Sequence, residues 1–282
     1  MRLDTIGIIG AGTMGSGIAQ ACASAGLDVI LTDVNEAIVD KGIATIASNL
    51  DRRVAKSKFS AADKEAALAH IKCSTSYGAL ASADIVIEAA TENLEVKRTI
   101  LKQLDPLIRS DAIVASNTSS VSITKLAAAI SHPDRFIGMH FFNPVPAMAL
   151  VEIVRGLQTS DPTHDAIEAL ATKLGKTPIT VKSSPGFVVN RLLLPMLNEA
   201  FFLLAEDEAG ATDIDLAMKL GCNHPIGPLA LADLIGLDVL LSVMQTIHDE
   251  FGDSKYRPAP LLKELVAAGY LGRKSGRGVY RY

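Results

Sequence analysis

Two side chains able to trade a proton, His140 and Glu152, stand at the end of one apolar run and in the middle of the next, Leu150-Val151-Glu152-Ile153-Val154. Imidazole has the unperturbed pKa nearest neutrality, so it suits accepting a proton from an alcohol as hydride leaves the same carbon. A carboxylate among apolar strand residues is costly unless it is paired. A His140–Glu152 pair would fix the imidazole tautomer, stabilise the imidazolium and compensate the acid. Taken singly, each has a plainer reading: a satisfied core histidine, and an outward-facing strand residue.

The other half of a hydride reaction is suggested by Gly10-Ala11-Gly12-Thr13-Met14-Gly15, which follows the apolar run Thr5 to Ile9 and opens a helical pattern. Gly10 permits a tight strand-to-helix turn, Gly12 lets a pyrophosphate approach the backbone, and Gly15 lets the helix lie close to the strand. Free N–H groups at Thr13, Met14 and Gly15 would meet the phosphates. The second apolar run, Asp28 to Thr32, ends at Asp33, placed to accept hydrogen bonds from a ribose and to repel a 2′-phosphate. NAD is therefore expected in preference to NADP; an FAD site or a plain glycine turn are the alternatives.

Further candidates lie beyond other strand-like runs, where a doubly wound sheet opens its ligand crevice. Ser116-Asn117-Thr118-Ser119-Ser120 follows Ile113 to Ala115, although such residues are also ordinary helix caps. Asn143 follows His140 within His140-Phe141-Phe142-Asn143-Pro144. Glu92 and Lys97 follow Ile85 to Glu88 and are expected near the crevice mouth. Asn190, in Pro185-Gly186-Phe187-Val188-Val189-Asn190-Arg191, could donate its amide to a substrate oxygen or cap the following helix. Arg52, Arg53 and Lys56 are spaced to share a helix face, which a phosphorylated ligand or solvent could occupy.

These residues need a scaffold, and the pattern supplies one. Strand-like runs at 5–9, 28–32, 71–74, 85–88, 113–116, 136–140, 150–154 and 178–181 alternate with helical stretches, the pattern of a doubly wound sheet. The stretch from Asn35 to His70 is too long for one crossover helix and predicts a helical hairpin projecting from the sheet. Ser183-Ser184-Pro185-Gly186 breaks the pattern, and the remainder of the chain reads as a second, all-helical domain. In that domain, the nearly all-apolar stretch from Leu192 to Ala205 must be buried internally or against a second subunit.

With 282 residues, 49% hydrophobic and 21% charged, the chain is long enough for two globular domains. Its net charge of −4 argues against general nucleic-acid or membrane affinity. Cys22, Cys73 and Cys222 form no C-x-x-C pair, and all three read as apolar filler in a reduced, cytoplasmic setting. No secretory leader, membrane span or metal site is expected.

Together with Met139-His140-Phe141-Phe142-Asn143-Pro144-Val145 and the C-terminal Gly272-Arg273-Lys274-Ser275-Gly276-Arg277-Gly278-Val279-Tyr280, these motifs resemble the 3-hydroxyacyl-CoA dehydrogenase family over essentially the whole chain. The size is similar to that of its stand-alone bacterial members acting on 3-hydroxybutyryl-CoA. The resemblance implies an α/β Rossmann-type doubly wound sheet with a helical hairpin insertion, spanning 1–184 and binding NAD. An all-α domain, 185–282, would bind substrate and form a homodimer. It implies His140 as general base or acid with Glu152 as partner, and Ser119 and Asn190 on the substrate oxygen. Gly10, Gly12, Asp33, Glu92, Lys97, Ser119, Asn143 and Lys274 would contact NAD, with Asn117 in the same loop. Lys56, its neighbour Arg52 and Ser119 would meet the CoA portion of an acyl-CoA thioester. Two rivals remain: a dehydrogenase of the 3-hydroxyisobutyrate or 6-phosphogluconate type, which uses lysine for acid–base work, and a non-catalytic crystallin-like protein on the same scaffold. The His140–Glu152 pair and the basic hairpin speak against the first, the intact catalytic set against the second.

Overall fold

The computed structural model describes residues 3–282, divided into a compact unit ending at Ser184 and another, Pro185–Tyr282. The first is built on eight strands: β1 (Thr5–Ile9), β2 (Asp28–Thr32), β3 (Ile71–Ser74), β4 (Ile85–Glu88), β5 (Ile113–Ser116), β6 (Phe136–Phe141), β7 (Leu150–Arg155) and β8 (Thr177–Lys182). They form one sheet in the order β3-β2-β1-β4-β5-β6-β7-β8, parallel except where β7 runs antiparallel to β6. Ile6, Ile8, Leu31, Ile85 and Ile87 are fully buried within it, each removing about 1.5–3 kcal/mol worth of side-chain surface from water. Strand order reverses at β1 and β4, the switch point at which such a sheet opens a crevice.

Helices α1 (Thr13–Ser24), α2 (Glu36–Ala55), α3 (Ala61–Ala69), α4 (Leu94–Leu104), α5 (Ile123–Ala127) and α6 (Asp161–Lys173) connect the strands. The expected hairpin is α2 and α3, with Asn35 capping α2 and a Ser60/Asp63 capping box starting α3. Rather than only projecting, it buries Val39, Ile46, Leu50 and Ala67 in the core shared with Ile18, Ala19 and Cys22 of α1.

The second unit contains only helices as regular elements: α7 (Val189–Ala205), α8 (Ala211–Gly221), α9 (Pro228–Ile235), α10 (Leu237–Phe251) and α11 (Pro260–Ala267). Leu194, Leu197, Phe201, Leu229, Leu240, Met244, Ile247 and Leu262 form its core. Among the described residues no single helix is long and apolar enough to cross a membrane.

Candidate active site

The glycine turn behaves as its spacing requires. Gly10 has φ +102°, and a Cβ there would come within 2.7 Å of Ala89 O and Ala90 Cα. At Gly15 a Cβ would lie 1.7 Å from Gly10 O, so only glycine lets α1 approach the turn. At Gly12 a Cβ would meet nothing within 4 Å: the space over the turn is open, as a pyrophosphate needs. No side chain caps α1, which leaves its first N–H groups for an anion, while Met14 packs its side chain on the core. Asp33 Oδ2 accepts the Ala11 N–H at 2.7 Å and Oδ1 the Val34 N–H at 2.7 Å, fixing a half-exposed carboxylate beside the turn. The open cradle and the acid that follows it fit NAD.

His140 and Glu152 face each other directly across the antiparallel β6/β7 pair. His140 Nδ1 is 2.7 Å from Glu152 Oε2, with the His140 side chain only 5% exposed and that of Glu152 fully buried. Against an ionised carboxylate, Nδ1 carries the hydrogen of that bond. The Phe142 ring packs against the imidazole, centroids 4.5 Å apart. Asn117 Oδ1 accepts the Phe141 N–H at 2.9 Å, so this expected cofactor residue also ties the end of β5 to the strand that carries His140.

Glu92 accepts the Thr118 hydroxyl and the Ser119 N–H, each at 2.6 Å, and so joins the loops after β4 and β5. Lys97 departs from expectation. It lies not at the crevice mouth but fully buried, its Nζ 2.6 Å from Glu88 Oε2 and 3.3 Å from Ser116 Oγ. The reason is its phase: with Ile100, Leu101 and Leu104 it forms the buried stripe of α4. Glu88, its partner, was not among the sequence candidates.

Arg52, Arg53 and Lys56 stand together at the C-terminal end of α2. Lys56 is the C-cap of α2, Arg53 lies over the Phe59 ring with its guanidinium carbon 4.6 Å from the centroid, and Arg52 hydrogen-bonds Asn49. Asn49 continues a polar row, Lys41, Thr45 and Asn49, overlooked in the sequence although its four-residue spacing marks one helix face. This row lines a cleft of about 450 Å³, faced by Gly12, Thr13, Gly17 and the Asn143–Pro146 segment. Asn143 thus stands beside the glycine turn. Lys176 pins the segment by donating to Val145 O at 2.5 Å and Met148 O at 2.8 Å. Burial and the Arg53 charge hold the Lys176 ammonium below its ordinary pKa.

In the helical unit, Asn190 is the second residue of α7, which has no side-chain cap, so Asn190 does not cap it. Lys274 Nζ sits 2.7 Å from Asp238 Oδ2. The segment carrying it is stapled by Asp233, fully buried in effect at 1% exposure, which accepts the Val279 and Tyr280 N–H groups at 2.9 Å. Of the cysteines, Cys22 is the buried filler expected, its thiol pushed up to about 12 by burial, whereas Cys73 and Cys222 are exposed.

Residues 5–184 match the model of the 3-hydroxyacyl-CoA dehydrogenase NAD binding domain, and residues 186–282 that of the C-terminal domain of the same family. The chain belongs to the 3-hydroxyacyl-CoA dehydrogenase family. It is an oxidoreductase with NAD as cofactor. A 3-hydroxybutyryl-CoA dehydrogenase of Bradyrhizobium diazoefficiens is 52% identical over 99% of this chain and 96% of its own. The human mitochondrial hydroxyacyl-coenzyme A dehydrogenase is 43% identical over 98% and 90%. The crystal structure of (S)-3-hydroxybutyryl-CoA dehydrogenase from Ralstonia eutropha superimposes with a TM-score of 0.97, 65% identity, and coverage of 100% of this chain and 99% of that one.

Proposed function

We propose that the protein interconverts (S)-3-hydroxybutyryl-CoA and acetoacetyl-CoA. The observation that carries this is the buried His140–Glu152 pair, 2.7 Å apart across β6 and β7, with β6 leading to Asn143 beside the open glycine turn. The family and relatives named for this short-chain substrate support the choice of thioester. NAD, when bound, supplies the acceptor for the hydride of C3, or in reduced form its donor.

In oxidation, His140 Nε2 takes the proton of the C3 hydroxyl, and the Glu152 carboxylate stabilises the imidazolium that results. In reduction the imidazolium returns that proton to the C3 oxygen. Ser119, whose backbone is set by Glu92, holds the substrate oxygen, and the resemblance assigns Asn190 the same task. Gly10, Gly12, Thr13, Met14 and Gly15 would hold the pyrophosphate of NAD and Asp33 its adenosine ribose, and Glu92, Asn117 and Asn143 would contact the cofactor too; Lys274 rests on the resemblance alone. Exposed Lys56 and Arg52, at the end of α2, meet the phosphates of CoA. In the helical unit Leu192, Leu220 and Leu234 are 52–75% exposed, and a second copy of the chain would cover such side chains.

The test is turnover of NADH with acetoacetyl-CoA and with longer 3-ketoacyl-CoA esters. The highest kcat/KM is expected with acetoacetyl-CoA; a protein that binds NADH but turns over none of these esters would overturn the assignment.

A further inference from the structure

We propose that Glu88 is a positioning residue of this site, whose buried carboxylate sets the two loops that carry Glu92 and Ser119; the inference rests on the activity proposed above. Glu88 ends β4, in register with Ile9 of β1 and Ser116 of β5, at the point where the strand order reverses. It is fully buried, as are Lys97 and Ser116. Oε2 accepts from Lys97 Nζ at 2.6 Å and from Ser116 Oγ at 2.8 Å, while Oε1 accepts the Ala90 N–H at 2.9 Å.

Stability alone is a poor reason for this arrangement, because well-packed apolar residues often replace a buried ion pair at no loss. A carboxylate does what an apolar side chain cannot: it draws donors from the loop after β4, from α4 and from β5 to one point. Ala90 is held where its Cα would lie 2.7 Å from a Cβ on Gly10, which seats the loop directly against the dinucleotide turn. Two residues on, Glu92 accepts from Thr118 and Ser119 at 2.6 Å. Glu88 and Ser119 are therefore connected by one short loop and one pair of charge-assisted bonds. A displacement of about 1 Å at reacting groups can cost on the order of 10²-fold in rate. Glu88 acts through this loop rather than on substrate.

The experiment compares E88Q, E88D, S116A and E88Q/K97M with wild type in acetoacetyl-CoA reduction, with NADH affinity from fluorescence and melting temperature measured in parallel. For E88Q/K97M, which leaves no buried charge uncompensated, we expect a melting temperature near wild type and kcat about 10–10²-fold lower, with KM for the thioester changed less than about 3-fold. E88D, which keeps the charge, should recover part of the loss relative to E88Q. S116A should lower kcat by roughly 3–10-fold. Wild-type kcat in E88Q/K97M or in S116A overturns the proposal, as does a loss confined to NADH affinity. If the double variant fails to fold, S116A decides. Inactive wild type would instead overturn the proposed activity.

Discussion

Two buried carboxylates end up in opposite trades. Glu152 meets an imidazole across the antiparallel β6/β7 pair, whereas Glu88 meets an ammonium and a hydroxyl at the centre of the sheet. Both are fully buried and both bind their partner within 2.7 Å. Burial of a charge therefore does not by itself mark acid–base chemistry. The partner is the better guide: the unperturbed pKa of imidazole lies near neutrality and that of an ammonium well above it. In the roles proposed above, one pair moves a proton and the other holds loops still.

The largest effect that can break this contrast comes from His140. His140→Ala should lower turnover by about 10²–10⁴-fold while NADH binding, followed by fluorescence titration, stays near wild type. Near-normal turnover would remove His140 from the chemistry and leave the two pairs equivalent. Glu152→Gln keeps the shape but not the charge, and a smaller loss of about 10–10²-fold in kcat is expected, the scale seen for carboxylates that orient metal-bound imidazoles. An unchanged rate and pH profile would reduce Glu152 to a structural acid with no part in the reaction.

Outside the pairs, the dinucleotide side can be sharpened by replacing Asp33 with Ser and Val34 with Arg. Loss of the repulsive carboxylate and gain of a guanidinium should raise KM for NADH and lower it for NADPH, shifting the ratio of their kcat/KM values by at least about 10-fold. Wild-type preference for NADPH would contradict the role given to Asp33. The smallest effect is expected from Lys56→Ala at the exposed end of α2. KM for acetoacetyl-CoA should rise by roughly 3–10-fold with kcat nearly unchanged, and the difference should shrink with added salt. A truncated thioester lacking the nucleotide of CoA should show no difference; an equal change with both substrates would sink the CoA assignment.

Much of this was legible because the signals are local. Alternating runs placed the strands and glycine spacing the tight strand-to-helix turn, and the two units divide within Ser183 to Gly186. The His140–Glu152 pairing was legible too, since a histidine at one strand's end and a lone acid in the next needed each other. The antiparallel turn between them had a signal that went unread: the connection from Phe142 to Ala149 is too short for a parallel crossover, which needs a dozen or more residues. Lys97 was misplaced because its address, a helix start beyond a strand, says nothing of facing. Its spacing to Ile100, Leu101 and Leu104 does, and puts the ammonium inside. Glu88 stayed hidden for the complementary reason. A strand-ending acid looks like the edge of the core until its partners are known, and Lys97 and Ser116 come from elsewhere in the chain.

The claim that His140 and Glu152 act as one acid–base unit is tested most directly by a double-mutant cycle on single-turnover reduction of acetoacetyl-CoA by saturating NADH. If the carboxylate works through the imidazole, Glu152→Gln should slow the wild type by about 10–10²-fold and the His140→Ala variant by less than about 2-fold. Equal slowing in both backgrounds would mean that Glu152 acts independently of His140, and the paired mechanism would be wrong.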